Sequence, residues 1–320
     1  MKKTFLKALA ALLAVISFAL SLASCSNGRA AMKSDHFSVG EGTMKYYYYD
    51  TYYALCESYG TQADTSAIKD QALNTVLKET EKILVLCEAA RAANVTLDDS
   101  DLKIIEDNIE LIKKTASDKN MSISQFFGDC GVTEEDIRYG DKLISLSQKY
   151  RSIKYTEFYG KLPSAEKLLE YYKGKLGAGV TIGESYSRNI GILILESESV
   201  AESALEDLRK TPMKKKDFED FVDTYINTGA AEQGGYYENT KRNQYISEIN
   251  DWLFSTTLMP GDCAIIKVDV GFALCFYGGL GEVTWKLDAS SMYASEELDK
   301  WFATLQYTVS TDKEVLDSIK

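Results

Sequence analysis

Histidine is almost missing from this chain: among 320 residues there is one, His36. Ser-His-Asp and Cys-His mechanisms take their general base from an imidazole, and a lone histidine near the start of the chain is poorly placed to supply it. The same scarcity argues against a Cys/His metal site, so no metal and no cofactor is expected. No Gly-x-Ser-x-Gly elbow occurs. Basic charge is also short, with 36 Lys and Arg against 48 Asp and Glu and a formal net charge of -12. Phosphate binding needs clustered Lys and Arg, so nucleic acid is not an expected partner. Of the six cysteines, the five other than Cys25, namely Cys56, Cys87, Cys130, Cys263 and Cys275, are odd in number and irregularly spaced, whereas a disulfide framework favours an even, clustered set. Cys87 continues an apolar helical face and Cys275 lies in an apolar strand, so both read as buried thiols acting as small hydrophobes.

Long apolar runs are missing too, except one. Lys2, Lys3 and Lys7 precede an uncharged apolar stretch over residues 8–22, which ends in Leu22-Ala23-Ser24-Cys25. Cationic start, apolar core and small residues ahead of a cut form a signal-peptide layout. The core is short for a membrane span, which needs about 20 apolar residues. Cysteine directly after Leu-Ala-Ser resembles the lipobox of bacterial lipoproteins. The expectation is a signal peptide over 1–24, lipidation at Cys25 and a polar tether over 25–34. Two or more acyl chains would hold the protein stably at the outer face of the membrane. Cleavage removes three lysines and no acid, so the mature chain is more acidic still. Anionic headgroups would repel it, and the lipid rather than charge must keep it there.

Residues 35–177 read as helical throughout. Ile68, Ala72, Val76, Thr80, Leu84 and Cys87 recur at a helical period, as do Leu102, Ile105, Ile109, Ile112 and Ala116. Asp98, Asp99 and Asp101 suit a helix start, where negative charge meets the dipole. Ser122 with Gln125 and Thr133 with Asp136 have capping spacing. Glu134 and Glu135 beside them need no chemistry to explain them. Pro163-Ser164 begins another helix, and glycines 174, 177 and 179 break it, placing a domain boundary there.

Residues 180–282 change character. The run 190–195 reads as a buried strand, followed by amphipathic helices over 201–208 and 218–226, separated by Pro212 and the run Lys214-Lys215-Lys216, read as a solvated loop. A glycine-rich loop with Gly229, Gly234 and Gly235 comes next. A short helix then carries Ile246, Ile249, Leu253 and Phe254, Pro260-Gly261-Asp262 makes a turn, and 264–268 with 272–277 form a hairpin. Gly278-Gly279-Leu280-Gly281 lacks the strand-to-helix context of a phosphate loop. Residues 283–320 return to helix around Trp301 and Phe302. A lone helix this short must dock on another element, and the helical first part is the natural partner. The expected fold class is α+β: a helical domain formed by N- and C-terminal segments, with a small α+β domain over 180–282 inserted in it.

That arrangement resembles the PrsA/SurA-type extracytoplasmic foldases, which carry a parvulin (PpiC-type) peptidyl-prolyl isomerase domain. The likeness rests on Gln233-Gly234-Gly235, on Ile249 with Asp251-Trp252-Leu253-Phe254, on Pro260-Gly261-Asp262 and on Gly271-Phe272. In the helical part it rests on residues 131–138 and 164–172. The resemblance implies a chaperone for unfolded or nascent secreted proteins, with a pocket for proline-containing segments whose apolar wall includes Leu253 and Phe254, with Phe272 nearby. It also implies two histidines and a Cys or Asp that are absent here. Their positions fall at Gly191 (or Asn189, if the register slips), Ala273 and, for the Cys or Asp, near Thr228.

Uncatalysed prolyl isomerisation faces a barrier of about 18–20 kcal/mol with no covalent bond broken. A pocket that binds the twisted amide better than the planar one lowers that barrier by differential binding alone. With its polar network missing, the domain is expected to isomerise weakly or not at all. The main expectation is therefore a membrane-anchored chaperone. An isomerase with a histidine-free site and a solute-binding lipoprotein are the alternatives. The tyrosines Tyr46, Tyr47, Tyr48, Tyr49, Tyr52, Tyr53 and Tyr59 would suit an aromatic grip on unfolded chains. Four consecutive residues necessarily wrap a whole helical turn, which favours a plainer division between core and surface.

Overall fold

The computed structural model describes residues 29–59, 66–177, 181–210, 214–231 and 233–319. The signal segment 1–24, Cys25, the first residues of the tether, Gly179 and Pro212 lie outside the described residues. The chain forms two compact units, one of residues up to Phe158 together with those from Glu297, the other Tyr159–Glu296.

The first unit is mostly helical. Strands β1 (Ala30–Lys33) and β2 (Ser38–Gly40) precede helices α1 (Glu41–Tyr59), α2 (Ser66–Ala92), α3 (Asp99–Asp118), α4 (Ile123–Phe126) and α5 (Glu134–Tyr159). Residues 35–177 are thus not helical throughout, and residues 30–33, expected within a polar tether, form a strand. Ala31 and Met32 are buried, so residues 30–33 serve as a strand rather than as polar leash. β1 is the centre of an antiparallel sheet ordered β2-β1-β7, where β7 (Ser310–Thr311) comes from the far end of the chain. Helix α11 (Lys313–Asp317) follows β7, and Val315, Leu316 and Ile319 enter the same core as Ala31 and Met32.

Helical periodicity places most core residues as the sequence indicates, but Leu102, expected on the same face of α3, is exposed, and Ile112 is partly buried. Ile68, Ala72, Val76, Thr80, Leu84 and Cys87 of α2 are all buried, as are Ile105, Ile109 and Ala116 of α3. Asp98 caps α3 by accepting from the backbone of Ser100 and Asp101. Ser122 and Gln125 form a capping box, and the Thr133 hydroxyl accepts from the Asp136 N–H at 3.2 Å.

The second unit contains α6 (Ala165–Leu176), β3 (Tyr186–Leu195), α7 (Glu198–Arg209), α8 (Lys215–Asn227), β4 (Gln233–Thr240), α9 (Ser247–Leu253), β5 (Cys263–Val268), β6 (Gly271–Val283) and most of α10 (Thr284–Ala303). Its limits lie outside the expected 180–282. The reason is a helix pairing: Tyr171 of α6 meets the ring of Tyr293 on α10 and bonds Glu296, while Tyr172 bonds Asp288. Gly174 lies within α6, and Gly177 caps its end without ending the unit.

The strands form one antiparallel sheet ordered β4-β3-β6-β5. Strand also covers two glycine-bearing segments that were not expected to be strand. Gln233–Thr240 carries few strand-forming residues, yet pairs along β3 because Gly234 leaves room beside the Ile192 carbonyl and Val222. A Cβ there would sit 2.9 Å from both. β6 runs on through Gly278-Gly279-Leu280-Gly281 to Val283, with a register irregularity at that glycine pair. Each face of the sheet has its own apolar cluster. Leu193, Leu195, Leu274 and Phe276 pack with Ala201, Ala204 and Leu208 of α7 and Phe218 and Val222 of α8. Ile190, Ile192, Ala273, Cys275 and Tyr277 pack with Ile249 and Leu253 of α9.

Candidate functional site

Alternation along β3 decides which side chains meet α9. Ile190 and Ile192 belong to the α9 face, so Gly191 between them points to the opposite side, against α8. A Cβ on Gly191 would lie 2.4 Å from the Phe218 ring. Ala273 sits on the α9 face, opposite Ile194 and Ile266, and is fully buried. The two expected histidine positions are therefore on opposite faces of one sheet. Asn189 uses its amide to tie β4 to β6, accepting from the Asn239 N–H at 2.9 Å and donating to the Leu280 carbonyl. Thr228 is exposed at the C-terminus of α8 and bonds back to the Thr224 carbonyl. None of these positions gathers into a polar cluster.

The apolar wall fares differently. Leu253 is fully buried and Phe254, the residue closing α9, is half-buried beside Trp252 and Leu258, all on the α9 face. Phe272 does not join them: it packs with the α7–α8 cluster, because Ala273 and Phe272 alternate across the sheet. Tyr277, at the end of the apolar run in β6, takes the place near Phe254. It is 2% exposed, and its hydroxyl accepts from Arg188 Nη1 at 3.2 Å. Arg188 lies near the start of β3, and its guanidinium carbon lies 5.3 Å from the Tyr277 ring centroid and 5.7 Å from that of Phe254. Arg242, just past the end of β4, stands 4.8 Å from the same Phe254 ring. Arg188, Arg242 and Tyr277 were not singled out in the sequence. The pairing of β3 is irregular between Arg188 and Ile190, so no simple alternation in the sequence marks the first.

The turn Met259–Asp262 borders this end of the sheet. Asp262 Oδ2 accepts from the Met259 N–H, the Gly261 N–H donates to the Tyr277 carbonyl, and Gly261 holds a left-handed φ of 100°. Cys275 is buried on the α9 face, and burial pushes its thiol up to about 12. It stays protonated at neutral pH and is no nucleophile. Cys263 is raised to about 11, also by burial. Cys87, Cys130, Cys263 and Cys275 form no disulfide.

The tyrosine-rich helix α1 is mainly structural. Tyr46, Tyr47 and Tyr48 are buried although they are consecutive, because core residues of the unit surround this stretch on more than one side. Tyr46 donates to Asp141 and Tyr47 to the Gly140 carbonyl. Tyr53 and Tyr59 are exposed. Elsewhere in the first unit, α2, α5 and the end of α10 enclose a groove of about 370 Å³ lined by Ile83, Leu86, Ile144, Leu298, Trp301 and Phe302, with Lys82 and Arg151 among its polar lining.

No protein-family model matches the chain, and no curated protein does. Solved structures similar to it include PrsA foldases and a SurA-like chaperone. PrsA from Bacillus subtilis is 13% identical at a TM-score of 0.37, over 92% of each chain. A SurA-like chaperone of Campylobacter jejuni is 14% identical at a TM-score of 0.28, over 90% of this chain and 100% of that one. The foldase PrsA from Streptococcus pneumoniae is 12% identical at a TM-score of 0.30, over 78% of this chain and 84% of that one.

Proposed function

We propose that this protein is an extracytoplasmic chaperone, anchored through lipid on Cys25, that binds unfolded secreted chains and takes proline-containing segments on the α9 face of its sheet. One observation carries this reading: the α9 face keeps a partly exposed apolar and aromatic wall of Trp252, Phe254 and Leu258 over the buried Leu253 and Tyr277, with no imidazole in its unit. Such a wall binds an apolar segment through area removed from water. It lacks paired histidines of the kind that parvulins place beside the reacting amide. Isomerase activity is accordingly weak or absent. The groove beside Trp301 and Phe302 supplies a second apolar surface for a client chain, in the helical unit.

The isomerase alternative has one specific support. Arg188 brings guanidinium donors to the edge of the wall, and a donor that bonds a twisted amide better than a planar one accelerates its rotation. The solute-binding alternative needs two lobes of alternating strand and helix. Both sheets described here are antiparallel, which fits it poorly. The deciding experiment uses the chain from Ser26 onward with a proline-limited refolding substrate. Suppressed aggregation without faster refolding is the expected result. Acceleration at catalytic concentration, lost in Phe254→Ala, would replace the chaperone reading with the isomerase one.

A further inference from the structure

Several lysines and arginines of this acidic chain pair with a carboxylate, among them Arg29, Lys45, Arg138, Lys149 and Lys241. Arg188 and Arg242 do something else. Their described contacts are with Phe254, Tyr277 and the Tyr277 hydroxyl, and no carboxylate stands within ion-pair distance of either among the described contacts. Both guanidinium carbons lie within 6 Å of one ring centroid, that of Phe254. A guanidinium stacked on a ring keeps its in-plane N–H donors free for a carboxylate, which it grips with two parallel hydrogen bonds. Arg242 is exposed and Arg188 half-buried, so both are open to a ligand lying on the wall.

We infer that the α9 face selects peptide segments in which an acidic residue flanks the apolar or proline residue held by Phe254. This inference rests on the proposed peptide-binding role of that face and names its preferred ligand. The occupant is an acidic peptide rather than an anionic membrane. The formal net charge of -12 repels a charged surface as a whole, whereas a short peptide meets only the local pair of guanidiniums. Tyr277 acts as a positioning residue, since its hydroxyl holds Arg188 at the wall.

The test measures binding of three fluorescent probes to the chain from Ser26 onward: Ala-Glu-Pro-Glu-Phe, Ala-Ala-Pro-Ala-Phe and Ala-Lys-Pro-Lys-Phe. The acidic probe should bind about five- to tenfold more tightly than the neutral one, and the lysine probe more weakly than either. Raising the salt from about 50 mM to about 500 mM should erase most of the difference. The double variant Arg188→Gln, Arg242→Gln should bind all three probes as the neutral one is bound. Arg242→Lys, at the exposed position, should restore part of the preference to Arg242→Gln while leaving stability unchanged. Equal binding of the acidic and neutral probes would overturn the inference and leave the proposed peptide site standing. So would displacement of the acidic probe by phosphatidylglycerol vesicles but not by unlabelled acidic peptide. Failure of every probe to bind, with no suppression of aggregation either, would overturn the chaperone reading and this inference together.

Discussion

Glu88 is a buried carboxylate, and it shows how a single side chain fastens the start of the described chain. It is buried on α2, where it accepts from the Ser34 hydroxyl at 2.7 Å, from the His36 N–H at 2.7 Å and from His36 Nδ1 at 2.9 Å. Burial works against its charge, but these hydrogen bonds outweigh burial and hold its pKa below the usual carboxylate range. A carboxylate whose folded pKa is lowered adds stability above its unfolded value of about 4.3, and that stability is lost as pH falls through the folded value. Glu88→Gln should therefore cost about 1–3 kcal/mol at neutral pH. The gap to the parent should narrow on acidification below about pH 4, as read by urea unfolding at both pH values. Asp50 and Asp141 act in the opposite sense, since burial raises both and protonation relieves them. A gap that stayed constant with pH would remove Glu88 as the source. Gly191 makes a separate case, because its missing side chain is occupied by the Phe218 ring. Gly191→Ala should destabilise by about 1–3 kcal/mol through overpacking. Gly191→His should do at least as much harm without conferring isomerase activity, since the position faces away from the α9 wall.

At the scale of elements, local chemistry and packing contribute in different places. α5 begins where the Thr133 hydroxyl accepts from the Asp136 N–H and the Asp136 carboxylate accepts from the Thr133 N–H. Thr133→Ala should cost about 1 kcal/mol, seen as a shift in the denaturant midpoint with an unchanged slope. A change below a few tenths would mean that tertiary packing alone sets the start of α5. Such caps were legible because they need only residue types at fixed spacing. β4 was not legible. Gln-Gly-Gly-Tyr-Tyr-Glu-Asn-Thr has loop composition, and it becomes a strand because β3 offers a free edge and Gly234 tolerates the close approach of Ile192. Two-residue β7 and four-residue β1 escaped for the same reason: their partners lie some 280 residues apart in sequence.

For the molecule as a whole, the two ends of the described chain stabilise one unit. The Asp312 N–H donates to the Ala31 carbonyl, and Val315, Leu316 and Ile319 complete the core around Met32. Burying side chains of this kind is worth about 1.5–3 kcal/mol each. Truncation after Thr304 should therefore lower the melting transition of the first unit. The second unit has its own two clusters, which contain no residue beyond Tyr277, so its transition should stay in place. Calorimetry on the truncated and full chains separates the two transitions. A single transition shifted as a block would mean that the units unfold together.

Read alone, the sequence determined the helical faces, the caps, the α+β order of the second half, the scarcity of imidazole and the candidate wall at Leu253 and Phe254. Each depends on periodicity, on short-range spacing or on composition, which survive without knowledge of the fold. Only the tertiary structure decided the register. It placed Gly191 and Ala273 on opposite faces, sent Phe272 to the α7–α8 cluster, and brought Arg188, Arg242 and Tyr277 to Phe254. A strand exchanges its two faces with a shift of one residue, so the membership of any site built on this sheet follows from pairing across strands, which no local pattern encodes.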